Sequence, residues 1–340
     1  MLRVWANLDI NLPLAEVAAA ARRAEAMGFD CISAPDVMHD GLLTASVAIQ
    51  ATKRIKVATS ALVCFPRSPM TVAVAAWNLQ AYSEGRFRLG LGPLVAPNII
   101  QKYSTPWYPP APRMREYVQS LRAIFHRWQN GVPLDYRGKY YSFTRQQDFT
   151  APSPIAHPDI PIHLAAIGPR MTALAGEVAG GLFAHPTNTS PEFITRMMFP
   201  DIEAGLARSG RKRSDLEVIA CPFYAIGRND DEIAARWSSY KSTLATVFST
   251  PNYWRSLDLF GIGEVGLRLR ELTRANRWCE MNEVFTKEMA DLFIYRAHYK
   301  NAGVEIRERY DGIATAIALP LPSDPSEDLL MKEVIADLHR

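Results

Sequence analysis

The sequence predicts an α/β protein whose eight parallel strands and intervening helices form a (β/α)8 barrel. Short apolar stretches alternate with segments of helical periodicity along the 340 residues, which favours parallel strands joined by right-handed crossovers. Eight such stretches occur at the spacing of a barrel. The fourth, GRFRLGLG at 85–92, ends almost without side chains at Gly90 and Gly92. A flat ligand can approach the backbone closely at such a strand end.

Local signals define the elements in chain order. Pro13 begins a helix that Gly28 ends in a left-handed conformation. Ser68 caps a helix that starts at Pro69 and reaches about Tyr82. Further helices are predicted at 113–128, 169–179, 190–210 and 230–248. The barrel strands are predicted at 2–8, 31–34, 55–60, 86–91, 162–165, 182–184, 216–226 and 313–319.

Three segments interrupt this alternation, and we interpret them as insertions in a single domain that spans residues 1–340. They lie at about 93–112, 130–160 and 250–311. The first has six prolines together with Trp107 and Tyr108, and this density excludes a regular helix or a central strand. A long aromatic loop after a barrel strand is typical of a lid or a substrate wall. The second contains a predicted hairpin at 134–143.

Composition narrows the class of protein. A net charge of +3 without basic runs interleaved with aromatics does not indicate nucleic-acid binding. No apolar stretch reaches the roughly 18 residues that a membrane span needs, and Met1 leads directly into a strand with no secretory signal. The four cysteines are far apart, so we expect reduced thiols in a cytoplasmic protein, with no disulfide framework and no metal site.

Ligands of such barrels bind over the carboxyl ends of the strands, so these positions supply the candidate site. Gly168-Pro169-Arg170 at a helix start suits a phosphate, since free N–H groups and the helix dipole favour an anion there. His39 and Asp40 are either an acid–base pair or an ordinary surface feature. Motifs for serine hydrolases, zinc proteases, P-loops and Rossmann folds are absent. The other strand-end residues are Pro35, Asp36, Ser60, Ala61, Gly92 to Asn98, Ala166, Ile167, Met171 and His185.

The chain resembles the bacterial luciferase-like monooxygenase family, in particular its branch that uses the deazaflavin coenzyme F420. The resemblance covers most of the chain and is strongest at 85–92. Its other motifs are AEAMGFD at 24–30, ATSA at 58–61, FPRSPM at 65–70, WNLQ at 77–80, GPRM at 168–171 and AGEV at 175–178.

The resemblance implies a (β/α)8 TIM barrel with insertion regions, a homodimer, and F420 lying over the strand ends. A non-prolyl cis peptide would fall at Ser60–Ala61, against the ring. Asp36 and His39 would handle protons, and Asn98 would bond the ring edge or the substrate. The coenzyme would contact Asp36, Ser60, Ala61, Asn98, Ala166, Ile167, Gly168, Pro169, Arg170 and Met171. Trp5, Trp107 and Tyr108 would line the substrate pocket.

The chain departs from one branch of that family. Its sugar-phosphate dehydrogenases have His directly after the strand-two Asp and Glu after strand four, where this chain has Val37 and Val95. Sugar-phosphate oxidation is therefore not expected, because both proton-transfer groups are missing. We predict hydride transfer between the C5 carbon of F420 and a small organic substrate. The alternatives are an FMN-dependent monooxygenase of the same fold and a non-catalytic flavin-binding homologue.

Overall fold

The computed structural model describes residues 2–340 and is built around a closed barrel of parallel strands. The strands are β1 (Arg3–Asn7), β2 (Cys31–Ala34), β3 (Lys56–Thr59), β4 (Leu62–Val63), β5 (Phe87–Gly92), β6 (Tyr136–Arg137), β7 (Ser142–Phe143), β8 (Ile162–Ala166), β9 (Gly181–Ala184), β10 (Glu217–Ala220), β11 (Phe223–Gly227), β12 (Ile294–His298) and β13 (Ala316–Pro320).

The helices are α1 (Leu14–Met27), α2 (Gly41–Ala51), α3 (Pro69–Tyr82), α4 (Pro110–Asn130), α5 (Pro169–Val178), α6 (Pro191–Phe193), α7 (Phe199–Ser209), α8 (Asp230–Phe248), α9 (Trp254–Leu259), α10 (Gly263–Arg274), α11 (Met281–Val284), α12 (Lys287–Ala290), α13 (Tyr299–Tyr310) and α14 (Asp328–Leu338). A π-helical turn joins α6 to α7, so the helix predicted at 190–210 is interrupted. Within residues 2–340 no helix has the length and apolar character needed to cross a bilayer.

The predicted (β/α)8 barrel is confirmed. Around the barrel the strands follow the order β3, β2, β1, β13, β10, β9, β8 and β5, and β5 pairs with β3 to close it. These are the eight strands that the sequence predicts. Strands β2 and β9 are buried at every residue, because helices cover the outside of a parallel barrel while side chains fill its inside.

A bulge interrupts the third barrel strand near its carboxyl end. Strand β3 pairs Val57 with Phe87 of β5, whereas β4 pairs Leu62 with Leu91, so the β3–β4 side uses one residue more. Such an extra residue bends the strand. The bulge contains the Ser60–Ala61 peptide bond, which is cis, at the position that the resemblance implies.

The bulge explains why residue 90 is a glycine. Thr59 bridges the interrupted ladder, because its Oγ1 accepts from the Gly90 N–H at 2.9 Å and donates to the Gly90 carbonyl at 2.8 Å. A Cβ on Gly90 would lie 1.9 Å from the Thr59 carbonyl oxygen. The close approach that this glycine permits is therefore to a neighbouring strand.

The largest excursion from the barrel lies between β10 and β13. The sequence predicts a single strand at 216–226, but the structure divides it into β10 and β11 around Cys221 and Pro222. A proline has no N–H for the barrel ladder, and β11 instead pairs in parallel with β12. Helices α8 to α12 pack around this pair with an apolar core of their own. The excursion therefore begins well before the predicted residue 250.

The amino-terminal end of the barrel contains a buried polar network. His163 of β8 is fully buried, and its Nε2 lies 3.1 Å from Glu217 Oε2. Arg3 approaches the other carboxylate oxygen at 2.6 Å, and Arg88 lies 3.7 Å from it. Burial alone would raise the pKa of Glu217, but His163 and the two arginines lower it to about 2. Burial lowers the pKa of His163 despite the carboxylate.

Candidate functional site

A cavity of about 1300 Å³ opens at the carboxyl-terminal end of the barrel. The ends of β1, β2, β5, β8, β9 and β10 surround it, and α4, α5, α7 and the β10–β13 excursion extend its walls. Ligand pockets of this fold lie at this end, and the volume exceeds what one drug-sized ligand usually needs. The cavity has room for two molecules side by side.

Small residues form a flat part of its lining. Ala61 from the bulge, Gly92 from β5 and Ala165 from β8 all line the cavity. A Cβ on Gly92 would lie 3.3 Å from the Ala61 Cβ and 3.7 Å from the Ala165 Cβ, so the three residues meet edge to edge. A surface without projecting side chains suits a planar ring. Ser60 and Ala166 border it and also line the cavity.

The amino terminus of α5 adjoins this surface. A Cβ on Gly168 would meet no atom within 4 Å, so this glycine leaves open space at the cavity wall. No side chain caps α5. Pro169 has no N–H, and the Met171 and Thr172 N–H groups donate to the Gly168 carbonyl, so the Arg170 N–H is the first-turn donor that remains for an anion. Arg170 is exposed and forms no ion pair or side-chain hydrogen bond within residues 2–340. Ile167, Pro169 and Met171 complete this stretch of the lining.

Charged side chains of the lining come from α4, α5 and α7. Arg115 pairs with Glu177 through two contacts of 2.8 and 2.7 Å, and this pairing is the main cause that lowers the pKa of the Glu177 carboxyl. Helix α7 reaches the rim because Gly205 packs against α5, where a Cβ would lie 1.8 Å from a backbone oxygen. The charged lining residues are Arg115, Arg170, Asp201 and Arg208.

His185, the first residue after β9, lines the cavity and received no role from the sequence. Its Nδ1 lies 2.9 Å from Thr187 Oγ1 and 3.3 Å from the Thr187 N–H. Within residues 2–340 no protein atom bonds to Nε2, which leaves this nitrogen for a ligand. Tyr253 from the excursion packs on the imidazole with ring centroids 4.5 Å apart. Burial lowers the pKa of His185 to about 4, so the ring is neutral at neutral pH.

Two further polar groups at the strand ends were also not predicted. Ser33 of β2 is buried and lines the cavity, and within the described residues its Oγ has no hydrogen-bond partner. Cys221 after β10 lines the cavity, and burial raises the pKa of its thiol to about 12. The position of these residues at strand ends was the available signal, and no motif marked them.

Asp36 does not line the cavity, contrary to the role predicted for it. Its oxygens accept from the backbone N–H of Gly41 at 2.9 Å and of Val63 at 2.8 Å. Arg67 also pairs with both oxygens, at 2.7 and 3.2 Å. These four bonds hold the loop after β2 against β4 through the carboxylate.

The acid–base pair of His39 and Asp40 is also not formed. His39 is exposed and lies outside the cavity lining. Asp40 caps α2, where it accepts from the Leu42 and Leu43 N–H groups, and it pairs with Arg67 at 2.9 Å. Burial raises the pKa of Asp40, but Arg67 and the two N–H groups outweigh it and lower the pKa overall. The structure therefore places both residues outside the cavity.

Of the three aromatic residues predicted for the substrate pocket, one lines the cavity and two do not. Trp107 lines the cavity, as do Pro93 and Val95 from the same loop. Trp5 is 1% exposed and lies inside the barrel, edge-on to Phe183, because its side chain points into the core. Tyr108 is exposed on the outside near Arg113 and Tyr140.

Asn98 is a further predicted contact residue that the structure places elsewhere. It is exposed at the start of a π-helical turn and does not line the cavity.

The fold agrees with the comparisons to known proteins. The family model for luciferase-like monooxygenases matches residues 3–312. The chain belongs to this family. Within it, an uncharacterized protein of Mycobacterium tuberculosis is 35% identical over 326 residues, 95% of each chain. Another protein of that organism, provisionally named a coenzyme F420-dependent oxidoreductase, is 30% identical over 297 residues, 82% of this chain and 81% of its own.

A solved structure has the same fold as this family member. The coenzyme F420-dependent tetrahydromethanopterin reductase from Methanopyrus kandleri superposes with a TM-score of 0.80 at 20% identity, covering 99% of this chain and 98% of its own. At this identity the likeness concerns the barrel and its excursions alone.

Proposed function

We propose that this protein is an F420-dependent oxidoreductase that transfers a hydride between the deazaflavin and a small organic substrate. One observation carries the proposal: a flat surface of small residues adjoins an uncapped helix amino terminus within one cavity. A planar ring with an anionic tail matches both parts. The F420-dependent relative supports the choice of coenzyme.

Different residues of this chain would contact the ring and the phosphate of the coenzyme. Ala61, Gly92 and Ala165 offer the ring a surface that no side chain obstructs. Gly168 leaves the space for a phosphate, and the α5 dipole together with the backbone N–H and the guanidinium of Arg170 attracts its charge. When bound, F420 supplies a carbon centre that gives or accepts a hydride, and the protein supplies position and electrostatics. Trp107 and the proline-rich loop limit access of water to the same cavity.

Titrating the protein with F420 and, separately, with FMN tests this proposal. We expect F420 fluorescence to change with saturation at one site per chain, and FMN fluorescence to change only at much higher concentration. Preferred FMN binding would instead favour the monooxygenase. Saturable F420 binding without hydride exchange across a broad panel of alcohols, ketones and enones would favour the non-catalytic homologue.

Assembly and location stay predictions. The homodimer and the cytoplasmic location both derive from the sequence, and a sedimentation measurement checks the first.

A further inference from the structure

The lining of the cavity is divided by charge. Its charged side chains all come from α4, α5 and α7, on the side where the small-residue surface meets α5. The ends of β1, β2 and β10 and the β10–β13 excursion contribute no charged residue to the lining. We call this second part the uncharged side, and its lining residues are Asn7, Leu8, Ile10, Ser33, Pro35, Cys221, Asn252 and Tyr253.

His185 stands at the edge of the uncharged side. Strands β9 and β10 are in register at Ala184 and Ala220, so His185 and Cys221 follow the last pair as neighbours. The imidazole is neutral, its Nδ1 is engaged with Thr187, and Tyr253 packs on its face. Its Nε2 is therefore a fixed, uncharged hydrogen-bonding group within a wall that carries no charged side chain.

The geometry points to an uncharged substrate that is held through one oxygen, a carbonyl or a hydroxyl, by His185 Nε2 on the uncharged side. This inference rests on the proposed function, because F420 would occupy the other side. A neutral hydrogen-bonding group in an uncharged wall favours a ligand that has an uncharged polar atom at the matching position.

The same wall disfavours charged substrates. A carboxylate or phosphate moved there would lose its hydration, and no lining side chain of the uncharged side carries a positive charge. The cysteine thiol there is also neutral, since burial raises its pKa to about 12. Sugar phosphates and organic acids are thus excluded by desolvation, in addition to lacking proton-transfer groups at Val37 and Val95.

Binding of two matched probes to the F420-loaded protein tests the inference without relying on turnover. The first probe is the neutral fluorescent naphthyl ketone Prodan, and the second is its analogue with a carboxylate in place of the propionyl group. We expect Prodan to bind with blue-shifted emission and the carboxylate to bind about 100-fold more weakly. His185→Leu should weaken Prodan binding about tenfold, the loss typical of one hydrogen bond.

Two variants separate the hydrogen bond from structural damage. His185→Gln places an amide near the position of Nε2 and should restore most of the affinity. His126→Leu removes an exposed histidine of α4 outside the cavity and should change nothing. Equal or tighter binding of the carboxylate would overturn the inference. It would also be overturned if Prodan did not bind the wild type, or if it bound both His185 variants as tightly as the wild type.

The F420 titration keeps the two proposals apart. If the titration shows no F420 binding but Prodan binds in a way that depends on His185, the result supports the uncharged subsite and rejects the proposed coenzyme. Tight F420 binding together with preference for the carboxylate would support the coenzyme and reject the substrate class.

Discussion

Two histidines lie at opposite ends of the barrel, the first fully buried and the second half-buried, and their surroundings differ. At the amino-terminal end His163 bonds to Glu217, which also pairs with Arg3 and Arg88. At the carboxyl-terminal end His185 lines the cavity, has no carboxylate partner and bonds to Thr187 through Nδ1. Burial lowers the pKa of both imidazoles. Within the described residues each ring has a nitrogen without a protein partner, but Nδ1 of His163 is enclosed in the core, whereas His185 lines the cavity, where a ligand can reach it.

This difference shows which groups with a shifted pKa indicate a functional site in this fold. A shifted pKa at the amino-terminal end of a barrel reflects stability, because no ligand site lies there. The same shift at the strand ends marks a candidate site when a hydrogen-bonding atom lacks a protein partner. Variants at the two ends should therefore separate stability from binding.

The largest effect is expected at the amino-terminal end. Glu217→Gln should lower the free energy of unfolding by about 2–3 kcal/mol, because it leaves two arginines and His163 without their carboxylate. The value lies below that of a fully buried pair, since the Glu217 side chain is 21% exposed. Denaturant unfolding measures it.

A matched exposed pair serves as the control for that variant. Glu280→Gln removes the partner of Arg277 at the surface and should leave the unfolding midpoint unchanged. F420 affinity of the Glu217 variant should equal that of the wild type while the protein is folded. A large loss of F420 affinity in the Glu217 variant would contradict the assignment of the amino-terminal end to stability alone.

Acid should destabilise the protein partly through His185. Its folded pKa of about 4 lies below the usual 6.5, so the unfolded state binds the proton first as the pH falls. Stability is then lost progressively from about pH 6.5 to pH 4 and no further below that. His185→Gln should remove this contribution, about 2 kcal/mol once the partial exposure of the side chain is allowed for, and should leave that of His163. Unfolding curves across this range that are parallel for variant and wild type would contradict the buried neutral imidazole.

The smallest effect is expected at Arg170. Arg170→Ala should weaken F420 binding about three- to tenfold at low salt, and the difference should shrink as salt screens the exposed charge. Arg137→Ala, at an exposed arginine of the β6–β7 hairpin, is the control and should have no effect. A loss that is independent of salt would assign Arg170 a role other than electrostatic attraction.

The sequence was sufficient for the framework of the barrel. Alternating apolar strands and capped helices are local signals, so all eight barrel strands and the start of α5 at Gly168 were predictable. The small-residue surface was partly visible as well, since Gly92 and Ala61 follow recognisable strands. The resemblance added the cis peptide at Ser60–Ala61.

The rest depends on contacts between distant residues. Asp36 looks catalytic at a strand end, but Arg67 and two backbone N–H groups from other segments occupy its oxygens. Trp5 differs from a pocket residue only in its depth within the barrel, which periodicity does not give. The stacking of Tyr253 on His185 joins the excursion to the barrel across residues without a motif. Strand pairing of β11 with β12 likewise required the tertiary structure.

The central claim, that the strand ends beside α5 hold a planar coenzyme with an anionic tail, is tested most directly at Gly168. Its missing side chain leaves open space, and its φ of −96° suits any residue, so Gly168→Val should fold as the wild type does. F420 titration of both proteins, with unfolding measured in parallel, gives the answer. We predict at least about tenfold weaker F420 binding at unchanged stability. Equal affinity in the two proteins would contradict the account.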